Sequence, residues 1–123
     1  MRLKVRNGTR DCILADRAER ASTFVQRLVG LLGRAHLPLG GALLIAPCSS
    51  VHTFFMRMSI DVAFLDADGV IVKQLEALPP WRATAVYSRA RAVLELPAGT
   101  LRASGTREGD RLFFDPAERA EEL

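Results

Sequence analysis

From Pro38 onward, turn-forming residues cut the chain into apolar runs too short to be helices. Proline and glycine fall at 38–41, 47, 69, 79–80, 97–99, 105, 109 and 116. Between them lie Ala42–Ala46, Val51–Met58, Val62–Leu65, Val70–Leu75, Ala92–Leu96 and Arg111–Phe114. Runs of this length suit strands, whereas a helix usually needs about 10–12 residues. Short connections favour antiparallel pairing, and the scarcity of helical segments argues against a doubly wound sheet. Asp66-Ala67-Asp68-Gly69 supplies a hairpin turn, because aspartate and glycine tolerate the backbone it requires. Pro79-Pro80 stops the strand before it, since proline cannot donate to a ladder.

The remaining segments fill in around that sheet. Leu3 to Ala15 reads as a hairpin, with Asn7-Gly8 as a two-residue turn. Residues 23–32 read as the one main helix, packed on the sheet. Ser22 or Thr23 caps it, Val25, Leu28, Leu31 and Leu32 form its apolar stripe, and Gly33 stops it. In Val51–Met58, His52, Phe54 and Met56 alternate with Thr53, Phe55 and Arg57, so both faces carry large apolar groups. That pattern predicts a central strand covered on both sides. Trp81 to Arg89 reads as an exposed loop, Thr100–Ser104 as a helical turn, and residues 115–123 as an acidic tail. The expected fold is α+β: a mainly antiparallel, barrel-like sheet with one helix against it.

The chain has 123 residues, a length that predicts one domain over 1–123. Such a domain buries enough surface to fold without disulfide or metal. The net charge of +3 is carried almost wholly by arginine, with Lys4 and Lys73 the only lysines. Those arginines are scattered, and no three basic residues are consecutive, unlike the footprint of a nucleic-acid binder. No apolar stretch follows the basic residues near Met1, and none reaches the roughly 18 residues of a membrane span. A cytoplasmic protein that uses no membrane is therefore expected. Its two cysteines, Cys12 and Cys48, are expected to be free thiols.

Three segments in order give the chain a family resemblance. They are Gly30-Leu31-Leu32-Gly33-Arg34; His52-Thr53-Phe54-Phe55-Met56-Arg57 leading to Ile60–Asp66; and Leu94-Glu95-Leu96-Pro97-Ala98-Gly99-Thr100 followed by Gly109-Asp110. Over roughly residues 20 to 113 the sequence resembles the family catalogued as domain of unknown function 192. The resemblance implies a compact, mainly β domain and no assigned reaction. Phe55 stands where the family commonly has tryptophan, and Arg57 where it commonly has lysine.

Several constellations could carry chemistry. Cys48, His52 and Met56, four apart, have the ligand types of a copper loop. A second upstream histidine is lacking, since His36 is nearby, and strands follow the loop, so no metal is expected. Cys48 as nucleophile with His52 as its base is an enzymatic alternative. Arg57, on a strand that is partly in the core, needs a partner. Glu95 is the first candidate and Asp61 the second, either as an ion pair locking strands or as a cleft that holds a polar ligand. Asp66 and Asp68 begin like a calcium loop, but the later ligands are missing, so they are read as turn residues. Trp81, Arg82, Tyr87, Arg89 and Arg91 mix rings and cations in one loop, a further alternative for nucleic acid or phosphate.

No complete catalytic set emerges. The sequence favours a small non-enzymatic binding or accessory domain that needs no cofactor and takes a small polar ligand or a protein partner. The ligand-binding candidates are His52, Arg57, Glu95 and Asp61.

Overall fold

The computed structural model describes residues 2–21 and 39–116. The expected helix over 23–32, His36 and residues 117–123 of the tail lie outside the described residues. Among the described residues, seven strands form one sheet: β1 (Arg2–Asn7), β2 (Cys12–Ala21), β3 (Gly41–Ile45), β4 (Ile60–Leu65), β5 (Ile71–Leu78), β6 (Ala92–Pro97) and β7 (Leu112–Pro116). Their spatial order is β5-β4-β6-β3-β2-β1-β7. Each pair is antiparallel except β2 with β3, which run parallel, so the sheet is mixed rather than antiparallel throughout. Arg17 stands opposite Gly41 and Ala21 opposite Ile45 in that parallel register. A parallel pair cannot be closed by a tight hairpin.

The sheet curls into a half-barrel whose two ends meet at one corner. Val70 and Arg111 form an isolated antiparallel bridge. The Ile71 N–H donates to the Asp110 carbonyl at 2.9 Å, and the Leu112 N–H to the Gly69 carbonyl at 2.8 Å. Gly69 is needed there: its φ is +82°, and a Cβ would sit 2.6 Å from the Leu112 carbonyl oxygen. The Asp66–Gly69 turn thus both closes β4 onto β5 and lets the sheet ends approach.

Strand alternation sorts the core into two layers. Ala63 and Leu65 of β4 join Leu94 and Leu96 of β6, Leu44 of β3 and Val5 of β1 inside the curl. Ile60, Val62 and Phe64 face the other way, with Val93, Leu43 and Ile45. Every residue of β4 is buried. The strands buried on both faces are therefore in the β3–β6–β4 region, not Val51–Met58.

Two sequence expectations are corrected locally. The hairpin does not turn at Asn7-Gly8: Asn7 is the last residue of β1, opposite Cys12, and β2 runs on to Ala21. The Asn7 side chain is fully buried; its amide donates to Thr106 and Asp110, and its oxygen accepts from the Thr9 and Arg10 N–H groups. A residue so engaged cannot sit in an exposed turn. Val51–Met58 is not a strand either; its one ladder contact is a bridge between His52 and Ala83.

The short helix expected at Thr100–Ser104 is present as α1. Gly99 and Gly105 flank it in left-handed conformation, and no residue of its own caps its start. The cap comes from the sheet. Asp61 of β4, fully buried, accepts from the Leu101 N–H at 2.9 Å and the Gly99 N–H at 3.1 Å. Its other oxygen accepts from the Ala77 N–H at 2.8 Å, where β5 bends through a φ of 51°. A carboxylate satisfied by three backbone donors is an architectural group.

Candidate functional site, a two-ply aromatic flap

Residues 47–58 and 79–91 run antiparallel and form a two-ply flap over the outer core layer. Backbone bonds zip them: Cys48 N–H to Arg91 O (3.1 Å), Tyr87 N–H to Ser49 O (3.0 Å), Thr84 N–H to Val51 O (2.9 Å) and Thr53 N–H to Arg82 O (2.8 Å). On the sheet side, Val51, Met56 and Met58 are buried, and Tyr87 lies against Phe64 with ring centroids 4.6 Å apart. Burying side chains of this size removes roughly 1.5–3 kcal/mol each of unfavourable exposure. The inner side of the flap is core.

The outer side is built around Thr53, which is fully buried. Its hydroxyl donates to the Pro79 carbonyl at 2.6 Å and accepts from the Arg82 N–H at 2.9 Å. Its carbonyl accepts from the Trp81 N–H at 3.0 Å and the Met56 N–H at 3.2 Å. The second of these closes a turn over Thr53–Met56 whose corners are Phe54 and Phe55. Phe55 has φ 67° and Trp81 φ 65°, the left-handed region that bulky residues rarely occupy.

These backbone turns drive rings outward. Phe55 is 64% exposed and Trp81 56%. The Phe55 ring meets Trp81 edge-on at 4.8 Å, Phe54 stacks near Trp81 at 6.1 Å, and His52 stacks on Phe54 at 4.9 Å. The four rings form one solvent-facing knuckle. Around it the two segments carry Arg57, Arg82, Arg89 and Arg91 and no aspartate or glutamate. The outer surface of the flap is thus both aromatic and basic.

The sequence candidates fall at different depths here. His52 is in the knuckle, and its Nδ1 accepts from the Phe54 N–H at 3.2 Å, which leaves that nitrogen unprotonated. Cys48 donates its thiol to the Ser50 carbonyl at 3.0 Å. Arg57 is exposed and belongs to no strand, contrary to its expected place on one. Glu95 of β6 is fully buried and stands opposite Leu43 and Val62, on the flap side of the sheet. Asp61 faces the inner layer, bound to backbone as described above. The loop expected at 81–89 is one of the two plies of the flap. Among the described residues, no group of three or more His, Cys, Asp or Glu side chains is placed to hold a metal ion.

Thr53 and Phe55 are the residues that sequence reasoning undervalued. One threonine between aromatic neighbours, with Pro79-Pro80-Trp81 distant in sequence, is the only local hint of a clamp. The Asp66 and Asp68 turn behaves as expected: Asp66 Oδ1 accepts from the Asp68 N–H at 2.9 Å and the Val70 N–H at 3.0 Å. The Val70 hydrogen bond in particular holds the Asp66 carboxyl below its ordinary range.

Away from the flap, Asp110 is the most heavily bonded carboxylate of the β1–β7 end. Its Oδ2 accepts from Asn7 Nδ2 (3.0 Å), Arg10 Nε (2.6 Å) and the Arg107 N–H (2.9 Å). Burial pushes its carboxyl up, but these donors, Asn7 foremost, outweigh it and hold the group below its usual range.

Comparison with known proteins places this architecture. A solved structure of a protein of unknown function from Novosphingobium aromaticivorans superposes with a TM-score of 0.76 at 20% identity, covering 90% of this chain and 82% of its own. That likeness concerns the fold. A UPF0127 protein of Pyrococcus furiosus is 35% identical over 100 residues, covering 77% of this chain and 84% of that protein. Another, from Thermococcus gammatolerans, is 30% identical over 120 residues, covering 94% and 77%. The family model described as an uncharacterized ACR matches residues 4–114. The chain belongs to that family, DUF192, whose members of the UPF0127 group have no characterised function.

Proposed function

We propose that this protein is a binding or accessory domain that docks onto a partner protein through the aromatic knuckle of the flap. The carrying observation is that Phe55 and Trp81, two bulky residues, are held in solvent by left-handed backbone. Such a conformation costs a non-glycine residue about 1–3 kcal/mol. An exposed large side chain also forgoes roughly 1.5–3 kcal/mol of burial. A partner that covers the rings recovers the second quantity.

The rings pack on one another, so their edges are presented more than their faces. An apolar groove accommodates such a ridge; a nucleobase, which stacks on open faces, is a poorer match. The arginines around the ridge, with Arg57 and Arg82 nearest to it in sequence, fit a groove with an acidic rim. His52 belongs to the same surface. Glu95 and Asp61 belong to the architecture beneath it.

The enzymatic alternative has less support. The Cys48 thiol gives its hydrogen to a backbone carbonyl, a bond that a thiolate cannot donate. A Cys48 that alkylates faster than a model thiol near neutral pH would favour it. We further take residues 1–123 as one domain, with the 23–32 helix packed on the sheet, acting in the cytoplasm. Cys12 and Cys48, which form no disulfide, suit a reducing compartment.

The test is photo-crosslinking in the host from a benzophenone side chain at position 55, with position 13 as control. Ile13 is also exposed but lies on β2. One discrete adduct from position 55, absent from position 13 and lost in Trp81→Ala, supports docking. Adducts of equal pattern from both positions, or none from either, contradict it.

A further inference from the structure

We propose that the open end of the half-barrel is a second, independent binding site, for a small zwitterion with an apolar side chain, that is, an apolar amino acid. A cleft of about 420 Å³ opens there between the ends of β2, β3, β6 and β7 and the β4–β5 turn. Its floor is the rim of the inner core layer, with Leu3, Leu44, Leu65 and Leu112. A binding cleft of a few hundred cubic ångströms, apolar with a few convergent polar groups, is the usual form of a small-molecule site.

Two charged groups stand on opposite walls. Arg20 of β2 is opposite Leu44 in the parallel register and two residues beyond Ala18, both of them in the inner layer. Strand alternation therefore turns Arg20 inward, over the cleft. Among the described residues no acidic group or carbonyl pairs with it. The other wall is the turn bearing Asp66 and Asp68. One Asp66 oxygen is occupied by the Asp68 and Val70 N–H groups. That leaves Oδ2 as an acceptor, on a carboxyl that the Val70 and Asp68 N–H groups and the nearby Arg89 and Arg111 hold below its ordinary range.

The arrangement reads the ligand from three sides. A guanidinium pairs with a carboxylate through two parallel hydrogen bonds. The aspartate wall accepts an ammonium group. The leucine floor takes an aliphatic or aromatic side chain. The knuckle on the flap contributes no residue to this cleft, so the two proposals stand or fall separately.

The test is titration of ¹⁵N-labelled protein with L-leucine and L-phenylalanine, followed by amide chemical shifts. 3-Phenylpropionate, which lacks the ammonium group, and phenethylamine, which lacks the carboxylate, are the comparison ligands. The expected result is saturable shifts confined to the amides of Asp66, Gly69, Ala92, Phe113 and their neighbours. Both comparison ligands should bind at least tenfold more weakly. Arg20→Gln, at an exposed position, should weaken amino-acid binding at least tenfold with an unchanged unfolding temperature, and Arg20→Lys should lose less. No saturable shift up to tens of millimolar would overturn the proposal. So would equal binding of 3-phenylpropionate, or undiminished binding in Arg20→Gln.

Discussion

Thr53 is shut off from solvent, yet its hydroxyl ties down Pro79 and Arg82, 26 and 29 residues further on. Thr53→Val keeps the shape and removes both bonds, leaving the Arg82 N–H and the Pro79 carbonyl without their partner. That should cost about 1–3 kcal/mol, read as a lower urea midpoint at constant m-value, and Thr53→Ser should restore most of it. The same variant should alter the quenching of Trp81 by acrylamide, because the Trp81 turn loses its anchor. Asp61 is a stronger case. Asp61→Ala abandons three backbone donors and the cap of α1, and should destabilise by roughly 3 kcal/mol or more in thermal unfolding.

Asp110 contributes to the pH dependence. Its folded carboxyl is held below the ordinary value, so its contribution is fully present above the unfolded pKa, near 4. It is lost as pH falls through the lower, folded value. Stability measured by urea between pH 7 and pH 2 should therefore fall on the acid side. The fall should be shallower in Asp110→Asn, which has no carboxyl to titrate. An unchanged acid slope in that variant would show that other carboxylates carry the effect.

Among elements, legibility followed locality. The Asp66–Gly69 turn, the stop at Pro79 and the helical turn before Gly105 are set by residues within a few positions of each other. Each was readable from the sequence. Gly69→Ala should confirm how strict the first is: a left-handed φ plus a Cβ 2.6 Å from the Leu112 carbonyl predicts a loss of about 2 kcal/mol or more in chemical denaturation. Val51–Met58 was misread because His52, Phe54 and Met56 alternate as a strand would. What overrides that pattern is tertiary: Thr53 bonds to residues 79–82, and the turn at Phe55 then reverses the chain. The parallel β2–β3 pair was equally out of reach, since it is fixed by register across the sheet and not by any short turn. Of the site, the sequence singled out His52, Arg57 and the Trp81 loop, but put the first two on a strand and the third apart from them.

At the scale of the whole molecule, two differently covered faces divide the work. The inner layer is enclosed by the curl of the sheet, and the Arg20 cleft opens at its rim. The outer layer is covered in part by a flap whose own outer surface is aromatic and basic. Both layers meet in β4, where alternate residues serve each, and Phe64 under Tyr87 links the flap to the sheet. Phe64→Ala should therefore cost about 3–5 kcal/mol in urea unfolding and loosen the flap with it.

Trp81 is the only tryptophan in the chain, so it reports on the knuckle without interference. Protein carrying 5-fluorotryptophan gives one fluorine resonance from that site. Added to extract of the host organism, the resonance should shift or broaden relative to buffer, because a partner covers the ring. Phe55→Ser, which removes the neighbouring ring without touching the core, should keep the buffer-like signal in the same extract. A resonance that is identical in buffer and extract, or one equally perturbed in Phe55→Ser, would contradict docking through the knuckle.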